Sequence, residues 1–472
     1  MAERSPNVFT IAPGALFLDV LADAMVDGSL GIKADAKPTL DIAAATIYLP
    51  TRRAARALAQ ALQRASGGGV LLPRIAGLGE AGEDDQAFAF LPASETDGHA
   101  LDCASVSEAE RQAVLADIAM GWSRTTTKWA DSAPAIGPNP VPRNSIEAAA
   151  FAIELARLLD EMTIAGVGPE RLAGLVPEEL ADLARNWKVN LEFLTHAIDR
   201  WTEHLRARRL MERVARRDRH LIGEADRLHL KGSSAPVIAA GSTGSVPAAA
   251  TLMRAIAHLD NGAVILPGLD CDLDQRSWDA VGPEHPQFGM KRLIESIGIE
   301  RSEVRRLGEP LSPTAAVRAK IIGESMRPAE TADLWVEQVT QMAPDDVRTA
   351  LCGVSLIEAS DEHEEARTIA LILRRAADRP EKLTALVTPD RTLARRVSAE
   401  LARWRISIDD SAGQPIASTT QGVFVRLVAQ AAASRFAPIA TLALLKHPHA
   451  RLGLDGAHVR HAARVIEIAA MR

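Results

Sequence analysis

The chain has 472 residues, 47% of them apolar and 24% charged, which suits a globular protein too long for a single core. Its formal net charge of −7 excludes a generally basic, histone-like binder but leaves room for a local basic groove, because steering follows the local field. Cys103, Cys271 and Cys352 are far apart and odd in number, which excludes a C-x-x-C metal motif and gives no sign of a disulfide framework.

The first apolar stretch is broken by Asp19 and Asp23 and does not resemble a signal peptide, and no run of about 18 apolar residues follows. A cytoplasmic, membrane-free setting is expected. Residues 8–25, VFTIAPGALFLDVLADAM, read as a short strand, a Pro-Gly turn and a helix. A phosphate loop belongs at such a turn, with the spacing G-x-x-x-x-G-K-[ST]. Here Pro13 and Gly14 shape the turn, Ala15, Leu16 and Phe17 follow, and no Gly-Lys pair occurs anywhere in the chain. The site is therefore read as a degenerate nucleotide loop. Residues 46–62, TIYLPTRRAARALAQAL, repeat the strand–helix pattern and place Thr51, Arg52 and Arg53 where the strand ends. A hydroxyl, two guanidinium groups and free helix N–H groups suit a phosphate backbone, although a solvated turn has the same appearance. A third strand is expected at Val70–Pro73, and an acidic loop from Gly77 to Gly98.

From Ser105 the pattern becomes helical, with Ser105 and Glu108 at capping-box spacing. A Pro-rich break at 134–142 interrupts it, and a helix resumes at 145–163 with Ile153, Leu155, Leu158, Leu159 and Met162 at apolar spacing. Helices are expected to about residue 222, so 105–222 reads as a helical insertion in an α/β domain. Strand–turn–helix returns at 236–257, and a strand with an acidic loop at 262–274. Two more strand–helix units are expected at 354–376 and 384–404, then helices from 420 to the end. Alternation of this kind argues for a parallel sheet.

Several constellations have a plain structural reading beside the functional one. Gly241-Ser242-Thr243-Gly244-Ser245 lacks G-x-G-x-x-G and a following Lys, and Ala239-Ala240-Gly241 has no acid to hold magnesium. Leu158-Leu159-Asp160-Glu161 imitates an ATPase magnesium strand but follows helical period. Asp361 to Glu365 reads as an acidic helix start. Seven arginines from Arg206 to Arg219, with Glu212 and Asp218 among them, suit either a nucleic-acid backbone or an exposed helix with internal ion pairs. His447 and His449 form a loop pair without a visible partner, and most of the seven tryptophans are expected in cores.

Taken in order, VFTIAPGALFLDVLADAM, TIYLPTRRAARAL, VIAAGSTGSVPA, VILPGLDCDLD with HPQFGMKRL, LIEASDEHEEA, ALVTPDRTLARRV, IDDSAGQPI and LLKHPHA resemble the N-terminal half of AddB, the second subunit of the AddAB helicase–nuclease, in its alphaproteobacterial form. The resemblance implies RecA-like domains of the superfamily 1 helicase type, with helical insertions: a first, inactivated domain over 1–345 and the start of a second over 346–472, ending in a truncated insertion. It implies a non-motor subunit of a complex that processes double-strand breaks for homologous recombination. AddA would be the partner and the active motor, and DNA ends and single-stranded DNA the ligands, with Thr51, Arg52 and Arg53 matching a strand-contacting motif. The family's iron–sulfur cluster and magnesium belong to a nuclease domain missing from these residues, so no cofactor is expected in this chain and no catalytic residue is assigned. An active ATP-dependent helicase with an atypical phosphate loop and a purely structural adaptor for AddA are the alternatives. Saturable ATP binding would favour the first, and absence of single-strand affinity the second.

Overall fold

The computed structural model describes residues 5–30, 42–69, 71–78, 103–130, 142, 144–172, 181–379 and 383–470. The expected acidic loop lies almost wholly outside them, as does most of the Pro-rich break. The chain forms two compact units, Met1–Gly353 and Val354–Arg472.

The first unit is built on a six-stranded parallel sheet. Its strands are β1 (Val8–Ile11), β2 (Thr46–Leu49), β3 (Arg74–Gly77), β6 (Val237–Ala240), β7 (Gly262–Pro267) and β8 (Arg305–Leu307), with a separate two-stranded ladder of β4 (Ala104–Ser105) and β5 (Leu210–Met211). The sheet order is β3-β2-β6-β7-β1-β8. The register sets Val8 beside Val264, Thr46 beside Val237 and Ile238 beside Ala263. The strands are short and almost entirely apolar because helices cover both faces of the sheet. Side chains alternate strictly between those faces. Phe9, Ile11, Ile47, Leu49, Ile238 and Ile265 pack under the helices Phe17–Val26 and Arg52–Ala65. Val8, Tyr48, Val237, Ala239, Val264 and Leu266 pack under Arg213–Lys231, Pro247–Ala257 and Phe288–Ile297 on the other face.

Two expectations shift here. The third strand forms at Arg74–Gly77, four residues beyond the expected segment, because it is this stretch that pairs with Thr46–Leu49. The helix expected to end near 222 runs to Lys231 and buries Leu221, Ala225 and Leu228 against the sheet. The helical insertion is therefore closed by residue 212, and the last helix belongs to the α/β layer. Tyr48 reinforces this: its hydroxyl donates to Glu224 Oε1 over 3.0 Å, and Arg227 forks onto the same carboxylate at 2.7 Å. Burial, then the Glu224 charge, hold the Tyr48 phenol well above its ordinary pKa.

The insertion itself comprises Glu108–Ala130, Ser145–Ala165 and Ala181–Arg208. Leu115, Ala152, Leu155, Ala156, Leu159, Leu194 and Trp201 fill its core, whereas Ile153 and Leu158 are each 39% exposed, so the expected apolar stripe is narrower by two residues. Ser105 caps nothing: it lies in β4 and accepts a bond from Arg216, while Ser107 Oγ accepts from the Glu110 amide. The β4–β5 ladder holds the entry and exit of the insertion side by side. Below it, Arg111 is buried and forks onto Asp160 at 2.9 and 3.0 Å, with Glu212 3.3 Å away. Asp160, read as a magnesium-strand mimic, is half of this buried pair.

The second unit contains helices Glu362–Ala376, Arg391–Ala402, Thr420–Ala433, Pro438–Lys446 and Gly456–Ala470. Ala366, Ala370, Leu393, Val397 and Leu401 join the first two. The two preceding segments, expected as strands, form no strand and make no ladder bonds among the described residues. A strand exists only by pairing, and neither segment has a partner in this unit.

Candidate functional site

The carboxyl ends of β1, β2, β6 and β7 meet along one edge of the sheet. The helices after β1 and β2 cover one face, and those after β6 and β7 the other, so two topological switch points fall at this edge. This is where open α/β sheets bind ligands. Every candidate residue of the degenerate loop and the basic turn lies here, and each turn can be built up from its sequence.

After β1, Ala12-Pro13-Gly14-Ala15 form one tight turn, closed by a 3.3 Å bond from the Ala15 amide to the Ala12 carbonyl. Proline at the second position and glycine at φ +90° in the third are what a type II turn requires. The chain then enters the helix at Phe17 at once, leaving no wide loop of amides to surround a phosphate. A side chain in the first helical turn leans back toward the helix start, and Phe17 does so across the strand ends. A Cβ at Gly241 would lie 3.4 Å from the Phe17 ring and 3.5 Å from Pro50. Gly241 also has φ +76°, so both its conformation and its space favour glycine. The Phe17 ring thus stands beside Gly241, at the turn that follows β6. Asp19 follows in the first helical turn, where an acid suits the helix dipole, and pairs with Arg64.

After β2, Thr51 caps the helix Arg52–Ala65, its Oγ1 accepting from the Ala54 amide at 3.1 Å. Arg52 is half-buried and Arg53 exposed, both in the first turn of that helix. The structure brings Thr51, Arg52 and Arg53 to the same sheet edge as Pro13 and Gly14.

After β6, the Gly241–Ser245 turn uses its own hydroxyls. Ser242 Oγ accepts from the Gly244 amide, and Thr243 and Ser245 pair with each other, each over 3.3 Å. A Cβ at Gly244 would come within 2.9 Å of Leu293, and one at Gly289 within 3.0 Å of the Thr243 carbonyl. These glycines let the helix Phe288–Ile297 approach the turn closely. They are packing glycines.

After β7, the HPQFGMKRL segment holds the loop in place. Gln287 donates to the Gly268 carbonyl and accepts from the Asp270 amide, both over 3.0 Å. Lys291 Nζ donates to the carbonyls of Asp279 and Trp278 at 2.8 and 3.0 Å. Cys271 is half-buried in this loop, and burial pushes its thiol above the ordinary range despite nearby Arg306, so it is a poor nucleophile.

The other constellations serve their own elements. Asp361 caps its helix through the His363 and Glu364 amides at 2.7 and 2.8 Å. His447 and His449 group with Phe424, their rings 5.3 and 6.2 Å from its centroid. Trp201 and Trp278 are buried, Trp335 and Trp404 exposed, and the Trp129 side chain lies outside the described residues. Among the described residues no group of three or more His, Cys, Asp or Glu is placed to hold a metal ion, and no helix is long and apolar enough to cross a membrane. Sequence reasoning missed Phe17, although an aromatic at the first position of a helix directly after a strand is a legible sign.

These features define a class: a parallel α/β protein with a helical insertion and a ligand-type sheet edge. No protein-family profile matches the chain, and no curated protein matches it either.

Proposed function

We propose that this chain is a RecA-like, superfamily 1 helicase-related module without a working nucleotide site, of the AddB kind. In that role it guides one DNA strand during the processing of double-strand breaks, while a partner of the AddA kind supplies ATP-driven movement in the cytoplasm. The observation that carries the reading is the Phe17 ring lying over Gly241. A motor places phosphate at the turn after its first strand and an acid at the end of a neighbouring strand. Here the Phe17 ring stands beside Gly241, the first residue after β6. A parallel sheet with helices on both faces supports the RecA-like reading, and the lack of a Gly-Lys pair supports the loss of its nucleotide chemistry.

The strand contact is assigned to the turn after β2, where Thr51, Arg52 and Arg53 begin a helix at the same edge. Binding there is electrostatic, so its affinity falls with salt in proportion to the phosphates neutralised. The test is fluorescence anisotropy with a labelled oligo(dT) over a salt series. Replacing Arg52 and Arg53 by Ala is expected to weaken binding and to flatten the log–log salt slope by about one and a half, at roughly 0.7 per single-strand phosphate contact. Unchanged affinity and slope would remove this turn from the interface. No measurable affinity of the unmodified chain at low salt would leave the structural adaptor.

A further inference from the structure

The arginine run at the exit of the helical insertion has a second, separate use. Within the run itself there are only two acids, Glu212 and Asp218, and neither is paired with the exposed arginines. Glu212 turns inward, where it accepts from the Trp201 indole N–H and lies 3.3 Å from buried Arg111. Asp218 is taken by Arg217, whose guanidinium is itself buried and bonds it at 2.7 and 2.8 Å. Arg208 pairs with Glu110, and Arg216 reaches Ser105. That leaves Arg206, Arg209 and Arg219, all exposed, and half-buried Arg213, with no acid paired to them among the described residues. An exposed helix neutralised by internal ion pairs is not what this segment forms.

The four are also arranged. Arg213, Arg216 and Arg219 follow one another every three residues at the start of the helix Arg213–Lys231, whose buried residues include Val214, Leu221, Ala225 and Leu228. Arg213 and Arg219 are six residues apart, about 9 Å along the helix. Arg206 and Arg209 stand just before them, at the end of the preceding helix. Arg209 is held at φ +53°, and the adjoining β4–β5 ladder fixes the chain on which it sits.

We propose that this ridge binds the phosphate backbone of duplex DNA, independently of the turn after β2. The choice of nucleic acid as the polyanion rests on the strand-guiding reading above. The choice of duplex rests on the ridge: Trp201 is buried and His204 is stacked on it at 5.5 Å, so neither offers a free face for base stacking. Arginines alone recognise phosphate, and a duplex presents it at the highest density, about one charge per 1.7 Å.

The test compares the full-length chain with a triple variant, Arg206→Ala, Arg209→Asn and Arg219→Ala, Asn being chosen because it tolerates the left-handed backbone. A triple lysine variant keeps the charge and serves as the rescue. Circular dichroism confirms folding, and anisotropy is read on a blunt 20-base-pair duplex and on oligo(dT) over a salt series. The expected result is at least a tenfold loss of duplex affinity at about 0.1 M salt, a duplex slope shallower by about 2.7, and recovery with lysine. The loss on oligo(dT) is expected to be smaller. Unchanged duplex affinity and slope would overturn the proposal. So would a loss confined to oligo(dT), or cosedimentation of the unmodified chain with anionic phosphatidylserine vesicles without duplex binding. A duplex effect here with no effect of the Arg52 and Arg53 variants would sink the β2-turn assignment alone.

Discussion

At the residue scale, the sheet edge is governed by a few side chains whose neighbours decide their meaning. Glycines that suggest a phosphate loop are used instead for a left-handed turn and for helix approach, while Phe17 takes the space. Arg327 shows the same dependence on surroundings. Its guanidinium is 3% exposed and holds Glu324, Ser277 and Asp274 together, fixing the segment after the helix Pro313–Ser325 to the helix Gln275–Asp279. Burial opposes ionisation of Asp274, but Arg327 and the Ser277 amide and hydroxyl outweigh it and hold the carboxyl at about 2, below its ordinary 3.8. A depressed carboxyl stabilises the fold above its unfolded value, and that stability is lost as pH falls from about 4 to 2. Asp274 is 41% exposed, so its share is about 1 kcal/mol once solvent screening is allowed for. Asp274→Asn is expected to lower the midpoint of thermal unfolding at pH 7, and the gap to the unmodified chain is expected to close near pH 2. A gap that is constant with pH would show that the carboxylate charge plays no part.

At the element scale, four strands of the first unit, Val8–Ile11, Thr46–Leu49, Val237–Ala240 and Gly262–Pro267, were legible because each is a short apolar run followed by a turn signal, whereas Arg305–Leu307 and the two-residue strands of the small ladder carry no such pattern. The boundaries that moved did so for tertiary reasons. Arg74–Gly77 pairs where Val70–Pro73 was expected, and Ser107 caps where Ser105 has the better spacing. The segments before Asp361 and Asp390 carry the same apolar pattern, yet Leu356, Leu383 and Val387 are 88%, 100% and 93% exposed. Apolar pattern gives a segment its tendency to pair, and a neighbouring strand gives it the hydrogen bonds. Hydrogen exchange of the chain as it stands should therefore find the amides of 354–359 and 383–389 exchanged at the earliest time point, with those inside Glu362–Ala376 protected. Equal protection of strand-like segments and helix would mean that a ladder forms there in solution.

At the scale of the whole molecule, the two units differ in how they spend their apolar sequence. The first covers both faces of a parallel sheet and adds a helical body pinned at its root by Arg111, Asp160 and Glu212. The second has a helix-pair core of five buried residues, and many large apolar side chains remain exposed. The proposed loss of the nucleotide site has a thermodynamic consequence for the chain. A ligand at a hundred times its dissociation constant stabilises a protein by about 2.7 kcal/mol. Millimolar Mg-ATP is therefore expected to leave the unfolding temperature unchanged, whereas a concentration-dependent, saturable rise would favour an active helicase with an atypical loop.

The sequence by itself determined the α/β class, the strand–turn–helix order of the first unit, the long helices of the insertion and the lack of phosphate-loop residues. These are local properties, set by periodicity, turn chemistry and the presence or absence of single residues. Only the tertiary structure decided that Phe17 lies beside Gly241, that the helix beyond residue 212 belongs to the sheet layer, and that Glu212 and Asp218 pair with residues other than the exposed arginines. Each of those outcomes depends on which distant residue lies opposite: Gly241 and Pro50 for Phe17, Tyr48 for Glu224, Arg111 for Glu212. Spacing along a chain does not encode such partners, because they are chosen by the packing of elements far apart in sequence.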